Sequence, residues 1–390
     1  MESRSLYLLD AFALIYRAYY ALINQPRFTH DGKNTSAVFG FVNSLEEVLR
    51  KQSPSHIAVC FDPPGPTFRH EADPTYKAER QEMPEDIRVA IPIIKEIVKA
   101  YRIPVVEVPG YEADDVIGTL ATQGAEKGYT VYMMTPDKDF GQLVTPSILQ
   151  YKPSFRGKDF ELRGEKEVCE RYGIQNTHQV IDLLALMGDK VDNIPGCPGV
   201  GEKTAVKLIA QFGSVENMLD NTDRIKGALR KKVEENADAI RHSKFMATIR
   251  TDVPTDISVD DLESRRPDTS HLFAIFRSLE FRTLADRVEK RLRTQQKEAR
   301  DSLFAEEGSL FSEADFSMSE KDSTDNAQPE EEAIKELEQE WILVDNPEAV
   351  KRMDMACAEA KECGITLLAY GEGDMDAFYR AAAVAVPEGE

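Results

Sequence analysis

Residues 104–137 read PVVEVPGYEADDVIGTLATQGAEKGYTVYMMTPD, and this stretch decides the fold class. PVVEV (104–108) and TVYMMTPD (130–137) are short apolar runs rich in branched and aromatic residues, the pattern of buried strands. Between them, 112–127 places apolar residues at helical spacing. A strand, a helix and a second strand in this order form a crossover unit, which joins parallel strands. Working outward, SLYLLD (5–10) and HIAVCFD (56–62) read as two more buried strands, with helical patterns at 36–51 and 84–101. The expectation is an α/β fold with a mostly parallel sheet covered on both faces.

From about residue 176 the pattern turns helical, with candidate helices at 177–187, 202–212, 214–220, 227–240 and 269–292. Residues 293–330 hold Ser, Asp, Glu, Gln and Lys without apolar periodicity, which reads as a solvated linker. Beyond it, WILV (341–344), a helix at 347–363 and GITLLAY (364–370) open another α/β pattern with too few elements to close a core. The expected organisation is therefore an α/β domain at 1–175 and a helical domain at 176–292. An acidic linker follows at 293–332, then an incomplete domain at 333–390, which we expect to be poorly ordered or loosely packed.

The net charge of −21 belongs mostly to the tail. Residues 293–390 carry 25 acids against 9 bases, and the first 292 carry 44 acids against 39 bases. Nine of those 44 fall in the motifs considered next, so a basic surface for nucleic acid remains available. The five cysteines form no Cys-x-x-Cys pair, which favours reduced thiols and a cytoplasmic protein and argues against structural zinc. Asp10 interrupts the first apolar run, so it reads as a strand and not a signal peptide. No apolar stretch reaches membrane-spanning length.

The positions of the acids are informative. Asp10 and Asp62 end predicted strands, Asp137 ends a third, and Asp139 follows in TPDKDF. Glu112, Asp114 and Asp115 open the helix after PVVEV, and Asp189 and Asp192 lie in MGDKVDN where the helical part begins. Carboxyl ends of parallel strands line one crevice, where ligands bind. Any one of these acids is an ordinary helix cap or turn residue. Five separate pieces converging on one sheet edge are not. Nine clustered carboxylates need cations, and hard oxygen donors without His or Cys suit Mg²⁺ or Mn²⁺. Two such ions suit phosphodiester hydrolysis.

Two further segments point to nucleic acid. In GDKVDNIPGCPGVGEKTAVKLIAQFG (188–213), Gly196, Gly199 and Gly201 allow close backbone approach before a helix whose free amides can hold a phosphate. This is a helix-hairpin-helix pattern, which grips duplex backbone without reading bases. Thr204, Lys203 and Lys207 are candidates for the same grip and Lys226, Arg230, Lys231 and Lys232 for its extension, although any one of these bases taken alone reads as a plain solvated charge. FRHEADPTYKAERQEMP (68–84) combines Arg69, Lys77 and Arg80 with Phe68 and Tyr76. Bases there can orient a scissile phosphate, and an aromatic ring can stack on an unpaired base, with simple packing the alternative for Tyr76.

These strings, together with LLDAFALIYRAYYAL and FDPPGPTFRHEADPTYKAER, resemble the 5′-nuclease domain of bacterial DNA polymerase I and its phage and flap-endonuclease relatives over residues 5–292. The resemblance implies a PIN-like (Rossmann-like) sheet with a helical arch, followed by an α-helical helix-hairpin-helix domain that can also hold K⁺. It implies a two-metal ligand set at Asp10, Asp62, Glu112, Asp114, Asp137, Asp139, Asp189 and Asp192, with Asp115 close by. Tyr76, Lys77 and Arg80 fall at the arch base, and Arg17 and Arg69 among the phosphate contacts. The implied activity is 5′–3′ exonuclease and 5′-flap cleavage on flapped or nicked DNA and on RNA primers, by a monomer. Residues 341–390 are similar to the start of a 3′–5′ exonuclease-like domain, with Tyr370 where a metal-binding Asp belongs, so proofreading is not expected. The competing readings are a PIN-like ribonuclease, which has no need of a duplex clamp, and a DNA-binding module with a dead site, which the intact acids oppose.

Overall fold

The computed structural model describes residues 4–153, 160–309, 363–368 and 380–385. Six strands form one sheet: β1 (Ser5–Asp10), β2 (His56–Cys60), β3 (Val105–Val106), β4 (Thr130–Met134), β5 (Ile148–Pro153) and β6 (Phe160–Arg163). Their order is β3-β2-β1-β4-β5-β6, parallel except for β6, which runs antiparallel to β5. In β1, Leu6 and Leu8 enter one core cluster while Tyr7 and Leu9 enter another on the opposite face. That alternation explains an unbroken apolar run: a central parallel strand is buried on both sides. α1 (Ala11–Ala21), α2 (Ser36–Lys51), α3 (Phe68–Ala72), α4 (Glu85–Ala100) and α5 (Ala113–Glu126) follow. α1, α2 and α4 cover the Tyr7–Leu9 face, and α5 covers the other.

The remaining helices are α6 (Glu165–Tyr172), α7 (Gln179–Met187), α8 (Glu202–Phe212), α9 (Val215–Asp220), α10 (Ala228–Glu235), α11 (Ala237–Ala247), α12 (Thr269–Ser278) and α13 (Arg282–Ser309). A third core cluster joins α7 through α11. The chain then returns to the sheet. Ile249, Val253, Val259 and Leu262 pack on the α5 side, and Leu272, Ile275, Phe276, Leu284 and Val288 on the α1–α2–α4 side. Residues 1–311 thus form one compact unit and 312–390 a second. The last third of the helical part expected at 176–292 therefore packs back on the α/β core.

Several boundaries also differ from expectation. The 227–240 helix breaks at Asn236, and 269–292 breaks at Glu280, whose φ of 58° is left-handed. The linker expected from residue 293 begins as helix, since α13 runs to Ser309. The expected arch carries only the short α3 and then turns. Asp73 precedes Pro74 and is extended (φ −146°), and Lys77 is left-handed (φ 57°), so the helix cannot continue. The strand expected at 364–370 is β7 (Cys363–Leu368), paired antiparallel with β8 (Arg380–Ala385). WILV, the 347–363 helix apart from Cys363, Tyr370 and the expectation of poor order there lie outside the described residues. Among those described, no helix is long and apolar enough to cross a membrane, and Cys60, Cys169 and Cys197 are free thiols.

α13 is fastened by a buried ion pair. Arg291 Nε and Nη2 donate to the Glu46 carboxylate at 3.0 and 2.8 Å, and the Tyr101 hydroxyl donates to Glu46 Oε1 at 2.7 Å. Both charged side chains are about nine-tenths buried. Removing one partner of such a pair leaves an unpaired buried charge, at a cost of about 3–5 kcal/mol. Arg291→Ala is expected to lower the urea midpoint by that equivalent. The apolar double replacement Arg291→Met with Glu46→Leu is expected to lose less, and equal losses would show that the pair carries no special weight.

Candidate metal and nucleic-acid site

The sheet brings the strand-end acids together at the carboxyl edges of β1, β2 and β4. Asp10 ends β1 and caps α1, its Oδ1 accepting from the Ala13 amide at 3.0 Å. Its Oδ2 accepts from the Thr135 hydroxyl at 2.9 Å, just past β4. Asp62, two residues beyond β2, accepts from the Ala113 amide at 2.7 Å and so ties β2 to the start of α5. Asp137 accepts from the Asp139 amide at 2.9 Å. Asp10, Asp62, Glu112, Asp114 and Asp137 line one cleft of about 690 Å³, with Lys77, Arg80, Phe12 and Tyr16 on its walls. Two smaller clefts, of about 490 and 520 Å³, lie between α2 and α13 and contain none of these acids.

Burial and mutual repulsion leave this cluster short of positive charge. Burial, then the charges of Asp62 and Asp137, pushes the Asp10 carboxyl up to about 7, against the Ala13 and Thr135 hydrogen bonds. Asp114 is raised well above the carboxylate range by burial and by Asp10, Asp137, Glu112 and Asp62. Asp62 is raised by burial and then by Glu112. Asp139 is pushed up to about 8 by burial and by Asp137, with Asp189 and Asp192 adding to the repulsion. Asp139 Oδ1 is buried without a hydrogen-bond partner. A buried carboxylate lone pair with no donor fits a cation.

Three acids already have cations. Lys77 Nζ lies 2.6 Å from Glu112 Oε1, Arg80 Nη2 lies 2.5 Å from Asp192 Oδ1, and Lys138 Nζ lies 2.7 Å from Asp189 Oδ2. Burial alone would raise Glu112, but Lys77 and Arg69 hold it below the usual range; Lys138 does the same for Asp189 against its burial. With these side chains turned to Lys and Arg, no three acids among the described residues enclose a point as an ion would need. The donors are right in type, all hard oxygens, and the arrangement has to open toward an ion.

Three candidate residues have other work. Arg69 is 3 % exposed, and its guanidinium donates to both oxygens of Asp115 (2.7 and 2.9 Å), to Glu112 (3.3 Å) and to the carbonyls of Met246 and Thr248 (2.8 and 2.7 Å). All five of its donor directions are used, so it is not a phosphate contact. Asp115 is fully buried and also accepts from the amides of Glu112 and Arg250, so it is not a metal-facing carboxylate. Together the two bolt α5 to the end of α11. Tyr76 is 4 % exposed and donates to Glu112 Oε2 at 3.1 Å, which leaves no face for stacking on a base. Arg17 is half-buried on α1 beside Glu47, outside the cleft lining.

The loop carrying Asp189 and Asp192 is closed by two glycines. A Cβ on Gly188 (φ 70°) would lie 2.4 Å from the Ile194 carbonyl oxygen, and one on Gly196 (φ 61°) 2.4 Å from the Gly188 nitrogen. The Asp189 and Ile194 backbones exchange hydrogen bonds at 2.9 and 2.7 Å. The arch-base segment docks on this loop through the Lys77 amide to the Asp192 carbonyl (3.0 Å) and Asn193 to the Thr75 carbonyl (2.9 Å). Past the loop, Gly199 and Gly201 are exposed and Gly201 caps α8. Lys203 and Lys207 are exposed on α8, Thr204 is half-buried, and the first amides of the helix have no intrahelical partner. Arg230 and Lys231, expected to extend the grip, pair with Glu234 and Glu235.

Residues 5–173 match the family model described as the 5′–3′ exonuclease N-terminal resolvase-like domain, and 175–270 the C-terminal SAM fold of the same family. The chain is 37 % identical over 287 residues to a 5′–3′ exonuclease of Aquifex aeolicus, covering 74 % of this chain and 96 % of that protein. The chain belongs to the 5′–3′ exonuclease family. It is also 40 % identical over 288 residues to DNA polymerase I of Bacillus caldotenax, covering 73 % of this chain but about a third (32 %) of that polymerase. The solved structure of T5 5′-exonuclease with bound zinc shares the fold, with a TM-score of 0.55 at 19 % identity over 73 % of this chain and 99 % of that one.

In this member of the family, Thr135, Phe12 and Tyr16 stand at the acid cluster and its cleft, and sequence reading passed over them. Thr135 was visible as the residue before Pro136 at a strand end, but nothing in the sequence says that its hydroxyl faces Asp10. In EDTA the raised Asp10 and Asp139 carboxyls make folding take up protons between about pH 4 and 8, so stability is expected to fall as pH rises through that window. Thermal melts at pH 6 and pH 8 check it, with a higher midpoint expected at pH 6. A metal-free protein more stable at pH 8 than at pH 6 would contradict this electrostatic account.

Proposed function

We propose that this chain is a Mg²⁺- or Mn²⁺-dependent, structure-selective nuclease. It removes nucleotides from 5′ ends and cuts 5′ flaps on nicked or branched DNA, RNA primers included. The observation that carries the reading is the meeting of acids from three strand ends with Lys77 and Arg80 around one cleft. Bound divalent ions, two by the donor set, supply the positive charge the acids lack, activate water and stabilise the leaving oxygen. The ligands we assign are Asp10, Asp62, Glu112, Asp114 and Asp137 on the cleft, with Asp139, Asp189 and Asp192 beside it. Lys77 and Arg80 orient the scissile phosphate and stabilise charge developing on it. Arg69, Asp115 and Tyr76 fix Glu112. Gly199, Gly201, Lys203, Thr204 and Lys207 hold the duplex backbone, with K⁺ at the hairpin; Arg17 touches phosphate near α1. The protein acts in the cytoplasm as a monomer, the nuclease residing in 1–311 and the remainder adding no 3′–5′ exonuclease.

The test is cleavage of a 5′-labelled flap duplex with Mg²⁺ or with EDTA. Asp62→Asn is expected to remove cleavage while DNA binding stays equal or tightens, because a negative charge near phosphate is lost. Full activity in EDTA would end this reading. Lys203→Ala is expected to weaken binding to all duplexes alike and to reduce the salt slope by about one. A loss confined to particular sequences would argue against a backbone grip.

A further inference from the structure

Three acids of the cluster are held by cations, and the three holds differ in strength. Lys77 is largely buried, its side chain 18 % exposed and paired with Glu112, and its own amide is bonded to the Asp192 carbonyl. Arg80 gives Asp192 Oδ1 two N–H donors, at 3.0 and 2.5 Å. Lys138 gives Asp189 Oδ2 one bond, at 2.7 Å, from a side chain 53 % exposed at the end of a flexible stem. Of the three, Lys138 is the easiest to displace.

The groups around Lys138 are otherwise set for a cation. Asp189 Oδ1 accepts from the Val191 amide at 2.8 Å, which fixes the carboxylate and leaves Oδ2 as the oxygen that Lys138 covers. The Asp139 amide is held by Asp137, and Asp139 Oδ1 stays buried without a donor. Asp139 and Asp189 are close enough to repel one another, and the charge of Lys138 acts on both.

We propose that Lys138 is the resident counter-cation of the Asp139–Asp189 position, competes with a divalent ion for Asp189 Oδ2, and thereby sets the metal concentration at which that position fills. The inference rests on the metal-nuclease reading above. In the metal-free protein the ammonium partly neutralises Asp139 and Asp189; when a divalent ion takes Oδ2, Lys138 swings into solvent. An exposed pair of this kind is weak, so its removal changes metal affinity by a small factor. Up to about fivefold is expected, the equivalent of about 1 kcal/mol.

The experiment titrates the full chain, stripped with EDTA, with Mn²⁺, followed by calorimetry and by the electron paramagnetic resonance of free Mn²⁺. The wild type is expected to show a tighter and a weaker class of ion. Lys138→Met is expected to tighten the weaker class about three- to fivefold, and Lys138→Arg to leave it near wild type. Lys190 is the control for the general field: it is exposed, adjacent to Asp189 and without an ion-pair partner among the described residues. Lys190→Met is expected to change the weaker class less than twofold. Equal tightening in Lys138→Met and Lys190→Met, or none in Lys138→Met, overturns the proposal. Asp189→Asn reports separately on the underlying site. It is expected to abolish the weaker class, and two intact classes in that variant would overturn the metal assignment itself.

Discussion

Everything in this fold is arranged around carboxylates that repel one another. Two unit charges 4 Å apart cost about 4 kcal/mol at the effective dielectric of a protein surface, and more inside. The chain holds its acids together with fixed dipoles and fixed cations. Backbone amides of Ala13, Ala113, Asp139 and Val191 each take one carboxylate oxygen, and Lys77, Arg80 and Lys138 each take another. What these do not cover remains as raised proton affinity at Asp10, Asp62, Asp114 and Asp139. A site that binds protons too tightly in water also binds cations.

The scaffold opposing that repulsion lies behind the cluster. Arg69 spends every donor on Asp115, Glu112 and two carbonyls at the end of α11. It therefore joins the α/β layer to the helical part by the same bonds that steady Glu112. Folding and site geometry are coupled here, because the helical segment supplies the carbonyls that make a buried arginine tolerable. The ion pair of Arg291 and Glu46 plays the corresponding part on the opposite side of the sheet, where α13 closes the core over α2.

Much of the fold was legible because two periodicities were strong. β1 and the helices at 36–51 and 202–212 were read at their observed bounds, and the parallel sheet followed from strands alternating with helices. β5, β6 and α6 were missed because their residues mix polar and apolar without a clear period, β6 at the sheet edge. The convergence of acids was legible because topology alone places strand ends on one edge. Which of them face a ligand was not. Arg69 and Asp115 sit in a motif full of bases and acids, and sequence cannot separate an arginine aimed at phosphate from one buried against carboxylates. The two need the same side-chain chemistry and differ only in what surrounds it. Tyr76 stayed open between packing and stacking for the same reason, since a ring beside basic residues does one or the other according to burial.

One continuous stretch, residues 188–213, carries both Asp189 and Asp192 and the exposed start of α8. The glycine contact between Gly188 and Gly196 pins the loop, and Ser243 of α11 accepts the Gly196 amide at 2.9 Å. Little slack remains between the acids and the helix start. On the function proposed above, a duplex gripped by its backbone at α8 is held at a fixed spacing from the acids, whatever its sequence. The bond that reaches the cleft is then chosen by distance from the grip and not by base identity. Selection by structure instead of sequence thus follows from how tightly this loop is closed. A looser loop would blur the cutting position before it weakened the chemistry.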